Sequence, residues 1–73
     1  MFYVYHTKVG PFTIVRRGDE WQAVFRGESL GTYASPRQAA GDLASGRTSS
    51  PAGWLDTTKL GISEDISDWT RFG

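Results

Sequence analysis

The chain has 73 residues, a formal net charge of zero and no cysteine. A chain of this length forms one domain, and it buries only about 60% of the surface that the unfolded chain exposes. The lack of cysteine excludes disulfides, thiolate catalysis and sulfur-ligated zinc sites, and the single histidine, His6, excludes a multi-histidine metal site. We predict a single domain over residues 1–73 with a core or an interface rich in aromatic rings, because the chain contains three Trp, three Tyr and four Phe.

The segment FYVYH at residues 2–6 consists of residues that favour strands. The turn TKVGP follows, with Gly10-Pro11 as a strong break. We predict that residues 2–6 pair with residues 12–17. The alternative is an arm that packs loosely or exchanges with a second copy.

Three further strands are predicted from alternation and turn signals. FTIVRR and WQAVFR each alternate, and they are separated by GDE, a three-residue hairpin loop. GES forms the next turn, and LGTY at residues 30–33 is a short strand. The result is an antiparallel meander of three or four strands. One face carries its large apolar side chains: Phe12, Ile14, Trp21 and Phe25.

One helix, Pro36–Ser45, is specified by its ends. Ser35 is the N-cap, Pro36 occupies the first helical position and Gln38 completes a capping box. Gly46 ends the helix where a left-handed residue is favoured. Small side chains at helical spacing predict close packing on the large rings of the sheet. These are Ala39, Ala40, Leu43 and Ala44.

The last third of the chain is predicted to hold a loop and a second short helix. Residues 47–61 contain breakers together with Trp54, Leu55 and Leu60, which need an apolar environment, and Asp56 can cap one short turn. The helix is expected near residues 63–71, with Ser63 as its N-cap and acidic residues in its first turn. Its apolar side is predicted to comprise Ile62, Ile66 and Trp69, extended by Phe72.

The sheet face away from the helix is the candidate binding face. Arginine, glutamine and aromatic side chains on a flat face can bind nucleic acid, although a solvated sheet face has the same composition. Val15 and Val24 predict that something apolar covers part of this face, either the C-terminal segment with Trp54 and Trp69 or a second subunit. The predicted site residues are Arg17, Gln22, Val24, Arg26 and Tyr33.

No chemistry-bearing motif accompanies these elements. His6 has no partner nearby in sequence for general base catalysis, and GISEDISDW lacks the ligand spacing of a calcium loop. No nucleophile motif or glycine-rich phosphate loop is present. We predict a non-enzymatic chain without catalytic residues, metal or cofactor.

The run GDEWQAVFRGESLGTYASPRQAAGDLASG resembles the strand-strand-helix core of plant ethylene-response and phage-integrase arm-type DNA-binding domains. Trp21, the LGTY strand and Ala39-Ala40 carry this resemblance, which implies the same local fold and DNA binding. Those families are basic, whereas this chain is neutral, and residues 54–72 have no counterpart in them. Through the run SP-AA-DLA-G-T, most of the chain also resembles short proteobacterial proteins of no known activity.

These observations predict a small interaction module that binds protein, with self-association as one option. Nucleic-acid binding through the outer sheet face is the alternative. The chain has no membrane-length apolar run and no secretory signal at its start, so we expect a cytoplasmic protein that does not bind membranes.

Overall fold

The computed structural model describes residues 1–46 and 57–73. One antiparallel sheet of five strands has the spatial order β4-β3-β2-β1-β5. The first four strands form the predicted meander, and the fifth adds to β1 at the edge opposite β4. The strands are β1 (Phe2–Thr7), β2 (Gly10–Arg17), β3 (Glu20–Phe25), β4 (Glu28–Tyr33) and β5 (Thr70–Phe72).

The N-terminal segment is a paired strand and not a loose arm. β1 pairs with β2 from Phe2 opposite Val15 to Thr7 opposite Gly10. At the turn, the Thr7 hydroxyl donates a 2.8 Å hydrogen bond to the Gly10 carbonyl and accepts one from the Val9 amide at 3.2 Å. The prediction that this segment pairs with the second strand is confirmed.

The two following hairpins are tighter than predicted. Arg17 pairs with Glu20, so the GDE segment contributes a two-residue turn and Glu20 belongs to β3. The next turn is residues 26 and 27, where Arg26 has φ 53° and Gly27 has φ 81°. Two consecutive positive φ values are what a two-residue hairpin requires to match the strand twist.

The helix α1 spans Pro36–Ser45, as predicted. The Gln38 amide donates to the Ser35 hydroxyl at 3.2 Å, and the Gln38 side-chain oxygen accepts from the Ala34 amide at 3.2 Å. Gly46 takes φ 76°, and its amide bonds back to the Asp42 and Leu43 carbonyls. Both helix ends are therefore fixed by the residues that the sequence indicated.

The core lies between α1 and one face of the sheet, which we call the helix side. Ala39, Ala40 and Leu43 of α1 are completely buried, as are Phe12, Ile14 and Ala23 of the sheet. The Phe12 and Phe25 rings stack with centroids 4.3 Å apart. The small side chains of the helix let its backbone approach these rings closely, as the sequence predicted.

The C-terminal part differs from the prediction. In place of a second helix over residues 63–71, the chain forms a 3-10 turn at Ile66–Asp68 and then strand β5. Asp65 caps the turn by accepting the Ser67 amide at 3.0 Å. Trp69 is already extended and continues into the strand because residues 70–72 pair with β1.

The Trp69 ring lies on the helix side. It is buried, its centroid is 5.2 Å from that of Tyr5, and its indole N–H donates to the Ser63 carbonyl at 3.0 Å. Of the two alternatives for covering the opposite face, the one that uses Trp69 is therefore wrong for that residue. The predictions for Trp54, Leu55 and Asp56 fall outside the described residues.

Close packing of the helix gives the first test. Ala40→Leu should lower the free energy of unfolding by roughly 1–3 kcal/mol, because a larger side chain has no space at this buried position. Gly41→Ala is the control on the same helix, since a Cβ there meets nothing within 4 Å. It should raise the free energy of unfolding by up to about 1 kcal/mol through helix propensity. Urea unfolding followed by circular dichroism measures both, and an unchanged Ala40→Leu variant would contradict the tight helix–sheet contact.

Candidate binding face

The outer face is the sheet surface opposite α1, and its side chains form two rows across the strands. Cross-strand pairing places the residues of each row side by side. The first row runs from β4 to β5 through Thr32, Gln22, Val15, Phe2 and Phe72. The second row runs in the same direction through Ser29, Val24, Thr13, Val4 and Thr70.

Neither row contains a charged residue. Phe2 and Phe72 remain 37% and 44% exposed, and their rings stack with centroids 5.0 Å apart. Val4, Val15 and Val24 are half-buried. The outer face is therefore apolar toward β1 and β5, and it carries hydroxyl and amide groups toward β4.

No element among residues 1–46 and 57–73 packs on the outer face. The helix places its buried residues against the helix side, and α1 contacts both 3-10 turns, Thr57–Lys59 and Ile66–Asp68. The hydroxyl of Tyr5, on the helix side, donates to the Gly61 carbonyl at 3.0 Å, which holds this part of the chain on the same side. The second layer of the described structure thus covers one face of the sheet only.

Three of the predicted site residues lie on the outer face. Gln22 and Val24 belong to its two rows, and the Gln22 amide donates to the Ser29 hydroxyl at 2.8 Å. Arg17 lies at the end of β2 on the same face, directly opposite Glu20. The cationic contribution of Arg17 to this face is therefore offset by a neighbouring carboxylate.

Arg26 occupies the β3–β4 turn and not the rows of the outer face. Its guanidinium lies 5.1 Å from the centroid of the Phe25 ring and donates to the Val9 carbonyl at 3.3 Å. It therefore links two neighbouring hairpins, and its side chain is engaged with the protein.

Tyr33 lies on the helix side, opposite Trp21 in β3. Its ring folds back over Gly31 of its own strand. A Cβ at position 31 would lie only 2.8 Å from the Tyr33 hydroxyl. Burial, together with the charge of Asp42 and a hydrogen bond to it, raises the pKa of Tyr33 to about 12. Tyr33 is thus coupled to α1 and does not join Arg17, Gln22 and Val24.

The prediction missed three apolar residues of the outer face: Phe2, Val4 and Phe72. The first two follow from alternation once β1 is paired with β2, since Phe2 lies opposite Val15 and Val4 opposite Thr13. Phe72 depends on β5, which the sequence analysis assigned to a helix. No local pattern in the C-terminal segment marks a strand there.

Polar groups also meet between α1 and the C-terminal turn. A depression of about 470 Å³ between α1 and the C-terminal turn is lined by Arg37, Gly41, Glu64 and Asp65. The backbone and hydroxyl of Ser67, and the nearby charge of Arg37, hold the pKa of Asp65 below its usual value. The Asp65 carboxylate thus serves the 3-10 turn. Among the described side chains, no group of three or more histidines or carboxylates is placed to hold a metal ion.

A scan against protein-family models, a search of curated proteins and a search of solved structures each found no match. The resemblances drawn from the sequence therefore stay predictions. Within the described ranges, no helix has the length and apolarity needed to cross a membrane.

The Tyr33–Asp42 contact predicts a pH dependence. The pKa of Tyr33 is raised from 10.0 to about 12 in the folded chain. The stability that the neutral Tyr33 side chain contributes is therefore fully present below the pKa of the unfolded chain. That contribution is lost as the pH rises from about 10 toward about 12. Urea unfolding should show a larger fall in stability between about pH 9 and about pH 11 for the wild type than for Tyr33→Phe.

Asp42→Asn separates the causes of this shift. It removes the carboxylate but leaves the burial, which is the largest cause, so the pKa of Tyr33 should fall only part of the way to its ordinary value. Absorbance titration of tyrosinate measures it. A tyrosinate titration of Asp42→Asn that is identical to that of the wild type would contradict the contribution of Asp42.

Proposed function

We propose that this chain is a small non-enzymatic module that binds protein through its outer face. The observation that carries the proposal is the pair of uncharged rows across the outer face, apolar toward β1 and β5, with no covering layer among the described residues. Depletion of charge at the centre, with aromatic residues present, is typical of the core of protein interfaces. We expect the module to act in the cytoplasm as a single domain.

The geometry of the outer face favours a macromolecule over a small ligand. Small-molecule sites are concave and enclose most of the ligand, whereas this face is the flat side of a pleated sheet. Antiparallel sheets do expose one face to water, but the exposed face is then commonly polar. Here the stacked rings of Phe2 and Phe72 lie beside Val15 and Val4 instead.

Nucleic-acid binding through the same face remains the alternative function. It needs cationic groups that are free to reach phosphates. Arg17 faces Glu20, and Arg26 is engaged with Phe25 and the Val9 carbonyl, so the outer face has no continuous positive surface within the described ranges. A salt-dependent gel shift that Arg17→Ala weakens would favour this alternative over protein binding.

Site-specific photo-crosslinking tests the proposed function. A photoreactive amino acid that replaces Val15, in the middle of the outer face, should form covalent adducts with a protein when the chain is expressed in its native host cells. The same amino acid at Ser45, which is exposed at the end of α1, is the matched control and should form none. Adducts should be lost when Val24→Lys is added, because a buried unpaired charge opposes association.

The absence of any protein adduct at Val15 would contradict the proposal. Equal adducts from the Val15 and Ser45 positions would contradict it as well, since they would report random collisions.

A further inference from the structure

We infer that the occupant of the outer face is a second copy of this chain, packed face to face with the apolar halves of the two sheets in contact. This inference rests on the proposed function and names its partner. The resulting assembly is a sandwich of two five-stranded sheets with α1 on each outside. Such sheets pack about 10 Å apart with strand directions within about 30° of each other.

The self-complementary composition of the face favours a second copy. A strongly acidic or basic partner would find no opposite charge in either row, because the rows contain only apolar, hydroxyl and amide side chains. In a dimer, the apolar residues of one copy meet the same apolar residues of the other. Because the chain has zero net charge, its net charge does not make two copies repel each other.

The size of the face fits a weak, reversible dimer. Five strands about 4.8 Å apart and the two rows with their margins cover roughly 500 Å² on each copy. The total of about 1,000 Å² lies at the lower end for specific interfaces, among transient complexes. Oligomerisation is also one of the usual ways in which a short chain without disulfides or metals gains stability.

The distribution of residues selects one orientation. A two-fold axis lying across the strands places each strand over the same strand of the partner and exchanges the two rows. Phe2 then lies over Val4 of the second copy, while Thr32 lies over Ser29. An axis parallel to the central strand β2 would instead place Phe2 over Gln22 and Phe72 over Thr32, so both rings of the stack would cover polar groups of the other half of the face. In the proposed orientation only one of the two rings, Phe72, lies over a hydroxyl, that of Thr70.

Light scattering and analytical ultracentrifugation over a concentration series test the inference on the purified chain. The wild type should associate reversibly into dimers. Val15→Lys should raise the dissociation constant at least about tenfold, because it places a charge in the centre of the interface. Ser45→Lys adds the same charge at the end of α1, where the helix dipole favours it, and should leave the dissociation constant unchanged. Far-UV circular dichroism verifies that each variant is folded.

The orientation is tested with single cysteines, since the natural chain has none. Thr70→Cys lies on β5 at the edge of the face, and in the proposed orientation it faces the same strand of the partner. The row exchange offsets the two substituted positions by two residues, roughly 7 Å, along the strands, so a bismaleimide cross-linker of about 8 Å should join them into a covalent dimer. With the axis parallel to β2, the two copies of this residue would lie about four strand spacings, roughly 19 Å, apart, and this reagent could not join them. Ser45→Cys is the control and should form no covalent dimer.

A strictly monomeric wild type at high concentration would overturn the inference, and so would a dimer that Val15→Lys does not weaken. A dimer in which Thr70→Cys fails to cross-link would overturn the orientation stated here. The proposed function fails separately, when the photoreactive Val15 position captures no protein in cells. Adducts with a different protein, together with a monomeric pure chain, would support the proposed function and overturn the inference that the partner is a second copy.

Discussion

The contact between α1 and the sheet is the constraint on which the rest of the structure depends. Ala39 and Ala40 present only methyl groups, so the helix backbone lies close to the sheet and the core volume comes from the sheet residues Phe12, Ile14 and Phe25. Close packing of this kind tolerates neither added volume nor voids. Because α1 and the C-terminal turns pack on the helix side of the sheet, the described chain has no second layer to cover the outer face.

The parts of the fold that the sequence predicted are those with local signals. Ser35, Gln38 and Gly46 specify both ends of α1 through hydrogen bonds within a few residues, and alternation specifies the meander. The C-terminal segment has local helix signals as well, but its backbone pairs with β1, more than sixty positions away. Long-range pairing and the burial of Trp69 against Tyr5 outweigh the local preference there.

The candidate site was predicted in part for a related reason. Alternation along β2 and β3 placed Arg17, Gln22 and Val24 on the outer face. In β4, however, Ala23 pairs with Gly31 and Val24 with Ser29, which leaves the buried Leu30 as one extra residue. A bulge of one residue moves every following side chain to the opposite face, so Tyr33 lies on the helix side. Composition and spacing do not reveal such a bulge.

The outer face and the last strand of the fold are physically coupled. Within the described residues, β5 pairs with β1 alone, and all of its side chains are exposed. The Phe2–Phe72 stack joins these two strands and also forms the most exposed apolar part of the outer face. A partner on this face would therefore bury the stack and stabilise β5 by mass action, whereas replacing Phe72 would weaken strand and interface together. Substitutions at Val15 and Val24 test binding with less effect on the fold than a substitution at Phe72, because each of their strands is paired on both sides.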